Sequence, residues 1–167
     1  MVESNPKGSL VRENLINLCR VLRSDLKDLQ ILKQGLYSTL TVLDAQSSSP
    51  FAFVGDGMKR LLRIACSFAS SSGGVVLIEE PEAFLHPKGM NEFTRLMVAA
   101  VSQGTQVIFT THSLELLGKI FERQNGHDLG QACLVRTKLS NGELTTGVIS
   151  GLDAAERLSE VGEDLRR

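Results

Sequence analysis

Two short apolar runs end in residues able to do chemistry. Val75 to Ile78 (VVLI) leads into Glu79-Glu80-Pro81-Glu82, and Val107 to Phe109 (VIF) leads into Thr110-Thr111-His112-Ser113. One carboxylate at a strand end can hold a magnesium ion through its water shell, because magnesium takes oxygen ligands and keeps several waters. A second carboxylate beside it can polarise an attacking water. A histidine on the adjacent strand can hydrogen-bond a terminal phosphate. Pro81 biases Glu80 toward extended backbone, which helps to fix its direction. If the two runs are parallel neighbours, Glu79, Glu80 and His112 converge on one rim. That rim lies at the carboxyl ends of the strands, where open α/β sheets bind ligands.

The elements that must position these residues can be read from the pattern. Both runs are continuous and apolar, which suits strands buried on both faces of a parallel sheet. Between them, Pro87 opens a helix at a first-turn position, with Met90, Phe93, Met97 and Val101 on its apolar face and Gln103-Gly104 at its end. Ser113 can cap a helix from Leu114 to about Phe121. Residues 75–121 therefore read strand–helix–strand–helix with a right-handed crossover. Upstream, Met58 to Ala69 is a helix with Met58, Leu61, Leu62, Ala65, Phe68 and Ala69 on one face, and Ser70 to Gly74 breaks it. Lys59, Arg60 and Arg63 fall on its polar face, where solvation is the default and contact across an interface is the alternative.

Nearer the N-terminus, Asn14 to Leu26 has leucines at three- and four-residue steps, the mark of an amphipathic helix. Leu29 to Leu32 and Leu36 to Leu43 form a hairpin-like pair around Gly35, and Gln46 to Pro50 reads as a polar loop. Downstream, Gln131 to Leu139 and Glu143 to Ile149 flank Ser140-Asn141-Gly142, whose Asn-Gly signals a hairpin. Asp153 is placed as the cap of a last helix running to about Leu165. The fold class is α/β: a partly parallel sheet flanked by helices, with a C-terminal β-hairpin.

Composition bounds the rest. The chain has 167 residues, 42% hydrophobic and 22% charged, the average of a globular domain. It is expected to be a single domain over residues 1–167. Basic and acidic residues number 18 and 19, and no third of the chain is a basic arm. Charge therefore gives nucleic-acid binding no support. No run reaches the roughly 20 apolar residues of a membrane span, and the polar start MVESNPKGSL carries no signal-peptide core. The expected compartment is the cytoplasm, with no membrane partner. Cys19, Cys66 and Cys133 form no CxxC pair and sit in apolar runs, which predicts buried, reduced thiols. His127, near Gly126 and Asp128, reads as a solvated turn residue.

Three strings together carry a family resemblance. VVLIEEPEAFLHP resembles the Walker B region of ABC-type ATPase heads of the RecF, SMC and OLD-like kind. QVIFTTHSLELL resembles their switch-histidine segment, and FVGDGMKRLLRIA resembles a degenerate signature motif with its helix. They occur in family order over residues 51–121. The resemblance implies a partial P-loop NTPase lobe, with ATP and Mg2+ as its ligands. It implies that Glu79 stands where the family usually has the magnesium-associated aspartate, a place that Glu fills in some OLD-like relatives, with Glu80 at the water-activating glutamate and His112 at the switch histidine. Gly55, Asp56 and Gly57 stand at the signature loop, which in the family touches the γ-phosphate bound by the opposite protomer of a dimer. The usual serine there is Asp56 in this chain, and a carboxylate repels phosphate. Glu82 and His86 match the EPE…LHP pattern as loop-shaping residues.

One part of the family pattern is missing. No GxxxxGK[ST] cradle occurs in the 167 residues: Pro6-Lys7-Gly8-Ser9 lacks the first glycine, and Lys33-Gln34-Gly35 leads to no lysine-serine pair. The chain reads as the second half of the head, without the Walker A half. It is an excised piece, one partner of a separately encoded P-loop half, or a natural truncation. Binding and hydrolysis of ATP are then conditional on a P-loop partner, and weak or absent in the chain alone. The alternative is a non-catalytic interaction module on an ATPase-like scaffold. A metal hydrolase using Glu79, Glu82, His86 and His112 is a third reading, but that spacing matches no standard zinc pattern.

Overall fold

The computed structural model describes residues 12–161 except 14, 18, 21, 22, 35, 36, 45, 72 and 124–128. The chain divides into two units, Met1–Thr110 and Thr111–Arg167.

The first unit begins with helix α1, which includes residues 12, 13, 15–17, 19 and 20. It buries Ile16 and Cys19. The helix is shorter than the leucine spacing predicts: Ser24 and Asp25 form a turn, and Leu26 is buried outside any helix. Leu18 and Leu22 of the predicted face, like His127, lie outside the described residues. Strands β1 (Asp28–Gln34) and β2 (Tyr37–Leu43) form the expected hairpin. The polar stretch that follows is not only loop. Ser48–Pro50 is a short third strand, β3, antiparallel to the end of β2. Asp44 makes this possible by accepting hydrogen bonds from the Gln46 and Ser47 amides and the Ser47 hydroxyl, at 2.6–2.9 Å, which folds the chain back.

Helix α2 (Asp56–Ser70), strand β4 (Val75–Glu79), helix α3 (Pro87–Ser102) and strand β5 (Gln106–Thr110) complete the unit. β4 and β5 pair in parallel, with Glu79 opposite Thr110. Helix α3 joins them. Pro87 occupies its first turn, and the His86 ring accepts from the Lys88 amide at 3.4 Å. The helix ends at Ser102 with Gln103 as its C-cap, and the next residue, Gly104, is in the left-handed region (φ 84°) that glycine adopts without a steric penalty. Phe93 of α3 is fully buried, with its ring edge-on to Phe109 of β5 and tilted against Phe68 of α2. The core of the unit sits there.

The strands are not covered on both faces as their apolar runs suggest. Val76 is buried, but Val75, Leu77 and Ile108 are 56%, 73% and 51% exposed. They share the other face of the β4–β5 pair, and among the described residues nothing encloses it. The thiols also depart from expectation: only Cys19 is buried, whereas Cys66 and Cys133 are exposed. Burial, and then the neighbouring Cys66, push the Cys19 thiol up to about 12.

The second unit contains helix α4 (Leu114–Arg123), strands β6 (Cys133–Ser140) and β7 (Glu143–Ser150), and helix α5 (Gly151–Glu156), which runs into a π-helical turn at Arg157–Val161. Ser113 caps α4 through its hydroxyl, which accepts from the Leu116 amide at 3.1 Å. β6 and β7 form the expected antiparallel hairpin. Asn141 (φ 52°) and Gly142 (φ 81°) make its turn, the double positive φ that Asn-Gly tolerates best. Asp153 is not the cap of α5. Ser150 is, accepting from the Asp153 amide at 3.1 Å, and Asp153 sits in the first turn. Leu117, Ile149 and Ala154 form the core of this unit, with Leu114, Phe121, Leu134 and Leu158 against it.

Candidate functional site

The carboxyl end of β4 carries the candidate site. Glu79 is the last residue of the strand, and its side chain and that of Glu80 are exposed. Glu80 leaves the strand with φ at 41°, in the left-handed region. The extended backbone that Pro81 favours is therefore not what the chain adopts. The turn is held by hydrogen bonds instead. The Glu80 amide donates to the Thr110 carbonyl at 3.0 Å and lies 3.2 Å from the Thr110 hydroxyl. The Glu80 carbonyl accepts from the Ala83 amide at 3.0 Å.

Arg60, one turn into α2, closes the arrangement from the other side. Its Nη2 donates to the carbonyl oxygens of Glu79 and of Glu80, the latter at 2.7 Å. Its Nε is buried with no partner among the described residues. The polar face of α2 is expected to be solvated, yet Arg60 on it is engaged by the protein. The helical period locates it on the polar side of α2 but cannot show that this side meets the end of β4. Arg60, Arg63, Glu79 and Glu80 line one open concavity of about 400 Å³. The Arg60 guanidinium thus meets the strand end through its backbone carbonyls.

The N-terminus of α2 carries the other candidates. Asp56 and Gly57 are not loop residues but the first turn of the helix, and Gly55 is its N-cap, with no side-chain cap bond. Asp56 is paired with Lys59 at 3.1 Å and sits where a carboxylate favours the helix dipole. Gly57 packs against the loop after β4. A Cβ there would lie 2.5 Å from the Phe84 carbonyl oxygen, so the glycine permits a close backbone approach. Phe84 itself is 77% exposed and has φ at 65°. His86 is the cap of α3, as a loop-shaping residue should be. His112 lies two residues beyond β5, at the head of the second unit, and is exposed.

The donor chemistry suits magnesium in part. Glu79 offers hard oxygen at a strand end, and one carboxylate is enough to engage a magnesium ion that keeps its waters. Among the described residues no group of three or more His, Cys, Asp or Glu gathers as a metal cage. The GxxxxGK[ST] string that would cradle the polyphosphate of a nucleotide does not occur in the sequence.

Comparison with known proteins decides the family. The family described as "AAA domain, putative AbiEii toxin, Type IV TA system" matches residues 14–118. The chain belongs to this AAA-domain family. An uncharacterized protein of Methanocaldococcus jannaschii, MJECL11, is 30% identical to this AAA domain over 114 residues, which make up 67% of this chain and 95% of that protein. The Old nuclease of Escherichia phage P2 is 28% identical over 136 residues, covering 72% of this chain but only 21% of the nuclease.

Among solved structures, the AAA domain resembles SMC ATPase heads. A chain from work described as "Structural biochemistry of ATP-driven dimerization and DNA stimulated activation of SMC ATPases" matches with a TM-score of 0.61 at 13% identity. The match covers 93% of this chain and 92% of that one. An SMC head bound to the C-winged helix domain of ScpA matches with a TM-score of 0.63 at 14% identity, over 89% of this chain and 44% of that one. These likenesses show an SMC-head, P-loop NTPase type of fold. No helix among the described residues is long and apolar enough to cross a membrane.

Proposed function

We propose that the chain is the Walker B, signature and switch-histidine half of an ABC-type ATPase head, and that it works with a P-loop half supplied by another chain or segment. The reaction is attack of water on the γ-phosphate of ATP. Glu80 orients the water, Glu79 holds a water of the magnesium ion, and His112 contacts the γ-phosphate. When bound, magnesium supplies charge neutralisation at the phosphates. Gly55, Asp56 and Gly57 face a nucleotide across a dimer, with Asp56 weakened for that role by its charge and by its ion pair with Lys59. Residues 51–121 are the motif core of the proposed half.

One observation carries this reading: the parallel β4–β5 pair ends in two adjacent carboxylates, and the backbone of the second is held by hydrogen bonds from both sides. The uncovered face of that pair supports the idea of a half. Parallel sheets are stable when both faces are covered, and here Val75, Leu77 and Ile108 are not. Dimerization and ScpA binding belong to the SMC neighbours, and a homodimer or P-loop partner for this chain is part of the proposal.

The test is hydrolysis by the complex with a GxxxxGK[ST]-bearing chain that co-purifies with this one. Glu80→Gln is expected to lower kcat by about 100-fold or more, the scale of a lost general base. Hydrolysis unchanged in Glu80→Gln contradicts the assignment. A second reading, a non-catalytic interaction module, is favoured by the absent phosphate cradle alone. It predicts a stable complex whose hydrolysis is indifferent to Glu80.

A further inference from the structure

We infer that Arg60 is a positioning residue that sets the direction of the Glu80 carboxylate by pinning the two peptide planes on either side of its Cα. The inference rests on the proposed water-activating role of Glu80.

The geometry follows from the planar trans peptide, whose N–H and C=O point in opposite directions. In the peptide joining Glu79 to Glu80, the N–H is donated to Thr110 on β5. The Glu79 carbonyl therefore points away from β5, and there it accepts from Arg60 Nη2. That peptide is held at both ends. The next peptide leads into Pro81, which has no N–H, so its carbonyl is the only backbone handle. Arg60 Nη2 holds that carbonyl too, at 2.7 Å, together with the Ala83 amide. With both planes fixed, the Cα–Cβ bond of Glu80 has one direction.

The clamp matters because the conformation it holds is not a default one. A φ of 41° is disfavoured for a residue with a side chain. Pro81 pulls the same residue toward extended backbone. Release of the carbonyls lets Glu80 relax, and the carboxylate turns with it. A guanidinium suits this task because its planar fork can serve two acceptors from a fixed orientation. A lysine presents one compact charge on a flexible stem. Arg60 touches no reacting group in this arrangement and acts through Glu80.

The experiment compares the full chain with Arg60→Lys and Arg60→Ala, after thermal melting shows which variants fold. Amide hydrogen exchange is read by NMR at Glu80, at Ala83 and, as internal controls, at buried positions of α3. In a folded Arg60→Ala variant the Glu80 and Ala83 amides are expected to exchange about tenfold faster while α3 is unchanged, the pattern of a local opening. Millimolar guanidinium chloride restores protection, and equal urea does not. If Arg60→Ala does not fold, Arg60→Lys gives the same reading in weaker form. Unchanged protection at Glu80 in a folded variant, or equal rescue by urea, overturns the inference.

The exchange arm needs no nucleotide, so it reads the clamp independently of the ATPase proposal. In the hydrolysis assay Arg60→Lys is expected to lower kcat by about tenfold or more at unchanged KM, the signature of misplacement rather than lost binding. If Glu80→Gln is inactive and Arg60→Lys is fully active, the positioning role falls and the function stands. If Glu80→Gln is fully active, the function falls first and takes the positioning role with it.

Discussion

Glu80 combines the side chain proposed to activate water with an unfavourable backbone. The left-handed region costs a non-glycine residue on the order of 1 kcal/mol, and such residues persist when their surroundings over-determine them. Glu80→Gly is therefore expected to raise stability by about 0.5–1 kcal/mol in chemical denaturation, while removing the carboxylate. A destabilised Glu80→Gly variant would show that the side chain contributes more to the fold than its exposure suggests. Asp44 shows the opposite balance. The amide of Gln46, the hydroxyl and amide of Ser47, and then the Arg23 guanidinium lower its carboxyl to about 2. A carboxyl depressed in the folded state stabilises it at any pH above the ordinary aspartate value. That contribution fades as the pH falls from about 4 through about 2. Asp44→Asn is expected to lose stability at neutral pH and to flatten this acid limb in melts recorded from pH 6 to pH 2. An identical acid limb in the variant would assign the acid sensitivity to other groups.

The elements show where sequence pattern is informative and where it stops. Pro87, Ser113 and Asn141-Gly142 each meet a local backbone requirement, so their elements could be read directly: a first helical turn, a cap, a two-residue turn. The order strand–two carboxylates–helix–strand was legible for the same reason. The short strand at Ser48–Pro50 was not, because three polar and proline residues have no strand pattern. Its pairing depends on Asp44 folding the chain back. The exposed face of β4 and β5 was also hidden. An apolar run records the environment a strand is suited to, not the layer that happens to cover it. Arg60 was missed because its partners are backbone carbonyls about 20 positions away in sequence, which leave no trace in residue type. Packing within the first unit centres on Phe93, between Phe68 and Phe109. Phe93→Ala is expected to cost about 3–5 kcal/mol in urea unfolding. A loss below about 1 kcal/mol would mean that the α2–α3–β5 core collapses around the missing ring.

At the scale of the molecule, family and chemistry separate. Membership in the AAA-domain family rests on a match over residues 14–118, and the SMC-head type of fold rests on structural likeness. Neither requires that nucleotide is held. In the proposed function the carboxylates and the backbone clamp around Glu80 serve one half of a hydrolytic site, and no GxxxxGK[ST] sequence, the source of phosphate-holding amides and lysine, occurs in the 167 residues. The central claim is that binding is shared with a second, P-loop-bearing half. Calorimetric titration of the purified chain with ATP and magnesium tests it most directly. The account predicts no binding tighter than about 100 μM, about 5.5 kcal/mol at 25 °C. Tighter binding by the chain alone would contradict it, because the phosphates would then be held by residues other than a P-loop.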